Sequence, residues 1–258
     1  MTTRTRLLSV ASVLAFALAS TAHAQSLAVY GGVEAAGLGE SSALLGASVA
    51  GTGLGLSPVV SLTGQTYRYR AFPSGYVSAS AISPLLGLQY NDGREMFMGG
   101  VGYSFVSSDV PAARAGIGLP SGTENGVFIL GQMNHWGDGN RDIQAIASFA
   151  FEPKYLWSRG RAAHRFYSSP VFLGGEVVAQ GSPGRDVDVL TTGGTTTRVN
   201  VPSYWSFNVG PTLQYRFTEN FRLLGAAGAR IGTNDAPLSG YGKLEFLALV
   251  PDLFQGAR

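Results

Sequence analysis

The feature that most constrains the fold is a two-residue alternation of apolar and polar side chains over long segments. In residues 205–217 every odd-numbered residue is apolar, whereas the residues between them are Ser, Asn, Gly, Thr, Gln and Arg. Because successive side chains of a β-strand point to opposite faces, this pattern predicts a strand with one apolar face and one polar face. Residues 97–105, 141–151 and 244–248 show a similar alternation.

Segments of this kind predict twelve strands, with ten and fourteen as the alternative numbers. Strands of globular domains average about 5 to 6 residues, whereas a tilted strand that crosses a bilayer needs about 9 to 11. Most of the segments are long enough to cross, so we expect an all-β, transmembrane, antiparallel up-and-down barrel. The predicted strands are 27–36, 42–51, 56–70, 76–90, 95–107, 126–136, 142–151, 155–166, 171–180, 204–217, 221–232 and 240–250.

The connections between these segments alternate in length. Short connections follow the even-numbered strands, at 52–55, 91–94, 137–141, 167–170 and 218–220, and two of them contain Asp-Gly or Gly-Asn. Both long connections, 108–125 and 181–203, follow odd-numbered strands, as do the moderate ones at 71–75 and 233–239. Outer-membrane barrels have short periplasmic turns and longer outer loops, so this order predicts a barrel with both termini on the periplasmic side.

The N-terminal residues predict export. Arg4 and Arg6 precede an apolar run of 13 residues at 7–19, and Ala22-His23-Ala24 has the small-x-small pattern of a cleavage site. We therefore expect a cleaved signal peptide at 1–24 and a barrel at 25–258. Of 18 basic residues, loss of these two Arg leaves 16 against 16 acidic residues, so the mature chain is neutral. Its charge gives no reason to expect a nucleic-acid partner.

Composition agrees with a wall that faces lipid. The chain has 36 Gly, no Cys and only 13% charged residues, which excludes a disulfide-rich scaffold and a cysteine zinc module. Aromatic residues settle at membrane interfaces, although in a soluble protein they would simply pack a core. The candidates for the two aromatic belts are Tyr30, Tyr67, Tyr69, Tyr103, Trp136, Trp157, Trp205, Tyr215 and Phe217.

Charged residues opposite the apolar faces are the candidates for the lumen, and basic ones are in excess. Arg159 and Arg161 share a face, and Glu176 on the next strand can pair with them. Two interpretations stay open: a lumen selective for anionic or sugar-like solutes, and a sealed interior in which Arg and Glu neutralise one another. The lumen candidates are Arg68, Arg70, Arg159, Arg161, Arg165, Glu176, Arg216, Arg222, Arg230, Lys243 and Glu245.

No residue pattern predicts catalysis, a cofactor or a metal site. The mature chain keeps His135 and His164, but neither accompanies a Gly-x-Ser-x-Gly motif. We therefore expect a transport, channel or envelope role without enzymatic activity. A lipid-modifying barrel enzyme and a secreted soluble β-sandwich that binds glycans are the alternatives.

Several short motifs resemble the cellulose biosynthesis protein BcsS family. They are Tyr-Gly-Gly-Val-Glu at 30–34, Gln-Thr-Tyr-Arg-Tyr-Arg at 65–70, Pro-Leu-Leu-Gly-Leu-Gln-Tyr at 84–90, Tyr-Leu-Trp-Ser-Arg-Gly-Arg at 155–161 and Gly-Pro-Thr-Leu-Gln-Tyr-Arg at 210–216. The resemblance implies an exported protein in the outer membrane of a Gram-negative bacterium, with a role in cellulose or exopolysaccharide secretion. The expected partners are outer-membrane lipid, the barrel assembly machinery and a polysaccharide or other anionic or sugar-like solute. Phe246 or Phe254 would supply the aromatic residue of the C-terminal assembly signal.

Overall fold

The computed structural model describes residues 25–51, 53–72, 75–109, 122–137, 139–152, 154–190, 196–201, 203–233 and 238–251. The predicted leader at 1–24 and Phe254 lie outside these residues. In the described part, fourteen strands and one short 3₁₀ turn at Gly37–Gly39 are present. No helix there is long and apolar enough to cross a membrane.

Twelve of the strands form one closed barrel, and their bounds agree with the predicted strands to within a few residues. The wall strands are β1 (Gln25–Ala36), β2 (Glu40–Gly51), β3 (Gly55–Phe72), β4 (Gly75–Asn91), β5 (Glu95–Asp109), β6 (Gly122–His135), β7 (Arg141–Ala150), β8 (Tyr155–Arg165), β9 (Val171–Ser182), β12 (Tyr204–Thr218), β13 (Phe221–Gly232) and β14 (Ser239–Val250). The remaining pair is β10 (Arg185–Leu190) and β11 (Thr196–Val201).

The barrel closes because β1 pairs with both β2 and β14, and every neighbouring pair is antiparallel. Closure leaves the wall with no free strand edge, which is the condition for placing a sheet in lipid, where no water can satisfy an unpaired backbone group. The prediction of a twelve-stranded, antiparallel, up-and-down barrel is confirmed. The β10–β11 hairpin was missed, since its six-residue strands lie in the connection predicted only as a long loop.

Burial in β12 follows the alternation of the sequence. Ser206, Asn208, Thr212 and Gln214 point into the lumen and are 1–4% exposed, whereas the odd-numbered residues between them are exposed on the outer face. The pattern recurs around the wall: Leu45, Val101 and Leu244 are among the exposed apolar side chains. An apolar exterior around a polar interior is the reverse of a soluble domain and matches a wall that faces lipid.

Tight turns connect the strands at the end that carries the termini. Gly93 adopts a φ of 89°, which favours Gly, in the turn between β4 and β5. In the same turn, Asp92 Oδ1 accepts hydrogen bonds from the backbone N–H groups of Arg94 and Glu95, at 2.8 and 2.7 Å. These two bonds hold the pKa of the Asp92 carboxyl below its ordinary value, because they stabilise the ionised form.

The aromatic residues divide between the two faces, which corrects the belt prediction. Tyr103, Tyr215 and Phe217 lie exposed on the outer face. The register instead places Tyr30, Tyr67 and Trp157 on the lumen face: Trp157 lies opposite the lumen residue Gln180, and the Tyr30 hydroxyl hydrogen-bonds Thr63 at 2.8 Å. The side chain of Tyr69 lies outside the described part of the chain.

Candidate functional site

The lumen is where the structure brings most of the predicted site residues together. Nine of the eleven candidates have the strand parity that faces inward, and they lie on β8, β9, β12, β13 and β14. They are Arg159, Arg161, Arg165, Glu176, Arg216, Arg222, Arg230, Lys243 and Glu245.

The prediction that Arg68 lines the lumen is wrong. Arg68 pairs in register with Ser41 and Ser78, on the same face of the wall as the exposed Leu56, so it points outward near the end of β3. Arg and Tyr alternate in this segment, and the inward parity belongs to Tyr67, which lies opposite Ser42. The side chain of Arg70 lies outside the described residues.

The Asp142 cluster, made of Asp142, Arg161, Gln214, Arg216 and Arg222, lies near the end that carries the termini. The Asp142 carboxylate accepts hydrogen bonds from Arg161 at 3.3 Å and from Arg216 and Arg222 at 3.0 and 2.8 Å. A fourth bond comes from the Gln214 side-chain amide at 3.1 Å. Asp142 is only 1% exposed, so its ionised form depends on these donors.

The Glu176 cluster, made of Arg159, Glu176, Tyr241, Lys243 and Glu245, lies further along the lumen. Lys243 Nζ bonds Glu176 at 2.7 Å and Glu245 at 3.3 Å. Tyr241 donates to Glu176 at 3.2 Å, and Arg159 reaches Glu245 at 2.5 Å. The predicted pairing of Glu176 with Arg159 and Arg161 is not made: Arg159 bonds Glu245, Arg161 bonds Asp142, and Glu176 bonds Lys243 instead.

The Arg230 cluster lies nearest the other end of the lumen and joins Arg230 to two carboxylates. Arg230 bonds Glu34 at 3.4 Å and Glu40 at 2.8 Å. Asn208 donates to Glu34 at 3.0 Å, and Arg230 also contacts the Tyr204 hydroxyl at 3.3 Å.

The three clusters differ in charge along the barrel axis. In the Asp142 cluster three guanidiniums face one carboxylate, in the Glu176 cluster two cations face two carboxylates, and in the Arg230 cluster one guanidinium faces two carboxylates. The lumen is therefore basic near the termini and acidic near the opposite end. Asp142 and Glu40 were missing from the predicted set. Two features of the sequence could have identified Asp142: it lies on the same face of its strand as Gln144, and the many Arg residues predicted to face the lumen require a negative charge nearby.

The charged groups of these ion pairs come from eight of the twelve wall strands, β1, β2, β7 to β9 and β12 to β14. In the order of strands around the barrel, β8 and β14 are four places apart, as are β7 and β13, and both intervals contain β9 and β12. Four places are a third of the circumference. Ion pairs between strands at this separation therefore pass beside the barrel axis and not through it. On β3 to β6, none of the described side chains that face inward is charged.

Glycines on the inner face let large side chains lie flat against the wall. A Cβ added to Gly46 would meet the Tyr30 ring at 2.5 Å, and one added to Gly100 would meet Leu85 at 2.7 Å. The same relation holds between Gly102 and the Phe128 ring. These side chains thus cover the wall of the lumen without projecting toward its axis.

An open cavity of about 950 Å³ lies toward the acidic end and is bordered mainly by β1 to β4 and β14. Its lining includes Glu34, Ser42, Tyr67 and Lys243, so it contacts both the Arg230 and the Glu176 clusters. Within the described residues, no group of three or more His, Cys, Asp and Glu side chains could hold a metal ion.

No family model and no curated protein matches this chain. Among solved structures, an outer-membrane channel from Pseudomonas putida F1 is similar with a TM-score of 0.56 and 10% identity, over 89% of this chain and 96% of that chain. The Pseudomonas putida toluene transporter TodX has a TM-score of 0.51 and 9% identity, over 91% and 90% of the two chains. The Ralstonia pickettii toluene transporter TbuX has a TM-score of 0.50 and 7% identity, over 90% of each. At these identities the likeness is one of fold.

Proposed function

We propose that this protein is an outer-membrane channel that lets small polar solutes, anionic or sugar-like, pass along the β3–β6 side of its lumen. The observation that carries the proposal is the placement of the interior charges. They come from eight of the twelve strands of a closed barrel with an apolar exterior. The described inward-facing side chains of the other four strands, β3 to β6, are uncharged and lie flat over glycines. A polar pathway inside a lipid-facing wall is the architecture of a diffusion channel.

The fold likeness to outer-membrane channels supports this proposal without naming a solute. Two of the similar structures are toluene transporters, and toluene is the substrate of those proteins. In this chain the lumen presents guanidinium, carboxylate and amide groups, which suit oxygen-rich solutes better than hydrocarbons.

Conductance of the purified mature chain in planar lipid bilayers tests the channel. We expect discrete conductance steps in potassium chloride and a heat-modifiable gel shift of the folded barrel. A barrel that inserts and shows the gel shift but never conducts would contradict the channel proposal and favour the sealed interior. A freely soluble monomer without a gel shift would contradict the membrane location itself.

The motifs that resemble those of the BcsS family extend the proposal to cellulose or exopolysaccharide secretion. Two of these motifs lie on β8 and β12, and they contribute Arg159, Arg161 and Arg216 to the lumen clusters. Deletion of the gene should then lower the cellulose released by the source bacterium. Unchanged cellulose in a deletion strain, with conductance retained by the purified protein, would remove this extension and leave the channel proposal in place.

A further inference from the structure

We infer that the Asp142 cluster is a binding site for an oxyanion, a carboxylate or phosphate group carried by a solute. The inference deepens the proposed function and rests on it for its biological meaning, since the site would select the solutes that enter or leave at the end of the lumen near the termini. The binding itself does not require an open lumen.

Hydrogen-bond donors outnumber acceptors between the guanidiniums and the carboxylate of the Asp142 cluster. An ionised carboxylate offers about four acceptor positions, and Asp142 already receives four hydrogen bonds. Each guanidinium carries five N–H donors, but each of the three in the cluster gives only one bond to Asp142. The carboxylate is therefore saturated, whereas the guanidiniums keep more N–H donors than the carboxylate can accept.

Two of those donors are buried without a partner. The Nε atoms of Arg161 and Arg216 have no hydrogen-bond partner among the described residues. Arg161 is only 6% exposed, so its Nε–H group has lost its hydrogen bond to water and gained none from the protein. A buried donor left unsatisfied costs free energy, and an oxyanion oxygen that reached it would remove that cost.

The guanidiniums are held in place and can be reached. The Arg216 guanidinium lies over the ring of the buried Phe172, with its Cζ 4.0 Å from the ring centroid. Stacking fixes the plane of the group and leaves its N–H edge available for hydrogen bonds. The side chains of Arg216 and Arg222 are 25% and 18% exposed, so a ligand can reach them from the lumen.

Charge selects the class of ligand. Three guanidiniums that cannot lose their protons face one carboxylate, so two positive charges are uncompensated in a low-dielectric site. Carboxylate and phosphate groups fit this fork geometry, since both present paired oxygens to a guanidinium. The Arg230 cluster, where carboxylates outnumber cations, provides the internal contrast.

The test uses the full mature protein in detergent and measures its thermal unfolding with added inorganic phosphate or acetate against chloride at equal ionic strength. A ligand that binds only the folded state raises the unfolding temperature. We expect phosphate, acetate or both to do so for the wild type. Arg216→Gln and Arg222→Gln should each weaken the affinity for the anion about tenfold or more, because each variant loses charge-assisted hydrogen bonds. Arg230→Gln is the matched control and should bind as the wild type does.

Loss of the effect in all three variants alike, or no stabilisation beyond that of chloride in the wild type, would overturn the inference. If Arg216→Gln does not fold, Arg216→Lys keeps the charge while losing the fork, and it should weaken binding less than Arg222→Gln does. Phosphate binding without conductance would support the anion site and refute the channel. Conductance without anion binding would support the channel and refute the anion site. A response to acetate alone identifies the carboxylate as the ligand group.

Discussion

Replacement of Asp142 by Asn should destabilise the barrel more than any other single charge removal in the lumen. The side chain is isosteric, but it loses the charge that neutralises three guanidiniums. Asp142 is 1% exposed and the Arg161 side chain 4%, so this pair is fully buried. Removing one partner of a buried ion pair costs about 3–5 kcal/mol, because the other charge stays buried and uncompensated. We take the lower end, about 3 kcal/mol, since Arg216 and Arg222 are partly exposed and regain solvent screening.

Urea unfolding of the barrel in lipid vesicles, followed by the gel shift and by tryptophan fluorescence, gives this difference in free energy. The matched control is Glu95→Gln, which breaks the half-exposed pair with His135 on the outer face and should cost less than about 1 kcal/mol. The double variant Asp142→Asn with Arg161→Gln should be less destabilised than the sum of its single variants, because the two charges compensate each other. Equal stabilities of Asp142→Asn and Glu95→Gln would refute the assignment of Asp142 as the counter-charge of the cluster.

Three further predictions concern the wall and a turn. Gly46→Ala should push the Tyr30 ring off the wall and lower the conductance, whereas Gly64→Ala, on the outer face with its nearest neighbour at 3.9 Å, should leave it unchanged; equal conductance of the two variants would contradict the flat-wall account. Val101→Arg on the outer face should cost about 2–4 kcal/mol of unfolding free energy in vesicles if that site lies near the bilayer midplane, and a value near zero would place it outside the lipid. Because the pKa of the Asp92 carboxyl is below its ordinary 3.8 in the folded protein, the two turn hydrogen bonds should be intact at pH 3.8 and break only at lower pH, when the carboxyl is protonated. A transition midpoint at or above pH 3.8 in the NMR shifts of the Arg94 and Glu95 amides would contradict this.

The wall of the barrel could be predicted from sequence because lipid imposes one rule on every strand. Between residues 205 and 217 of β12 the apolar residues all fall on odd positions, and burial in the structure follows that parity. The β10–β11 hairpin lies in the connection from β9 to β12, where no apolar face is required and no such rule applies. Its strands of six residues are also too short for the length argument that identified the others.

The lumen site could be predicted only in part, because the charge of a side chain does not by itself fix the face on which it lies. Arg68 was assigned inward on its charge, yet its register opposite Ser41 turns it outward. Asp142, the second residue of β7, was overlooked although the alternation places it on the polar face with Gln144, because a single carboxylate in the sequence does not show that it will meet several Arg side chains. Which Arg pairs with which carboxylate depends on strands far apart in sequence: Asp142 bonds Arg222, 80 residues away.

The arrangement of the interior charges bears on whether the barrel is sealed or open. A sealed lumen of this width needs side chains from opposite walls to interdigitate. The three clusters draw their charged groups from β1, β2, β7 to β9 and β12 to β14, whereas the large residues facing them on β4 and β6, Leu85 and Phe128, lie flat over Gly100 and Gly102. Glycine lowers the stability of a strand because it has no side chain to pack, so its presence often marks a place where another group must approach closely. Two inward glycines beneath two large side chains therefore favour a wall shaped to stay clear of the ion pairs, and a passage between the two.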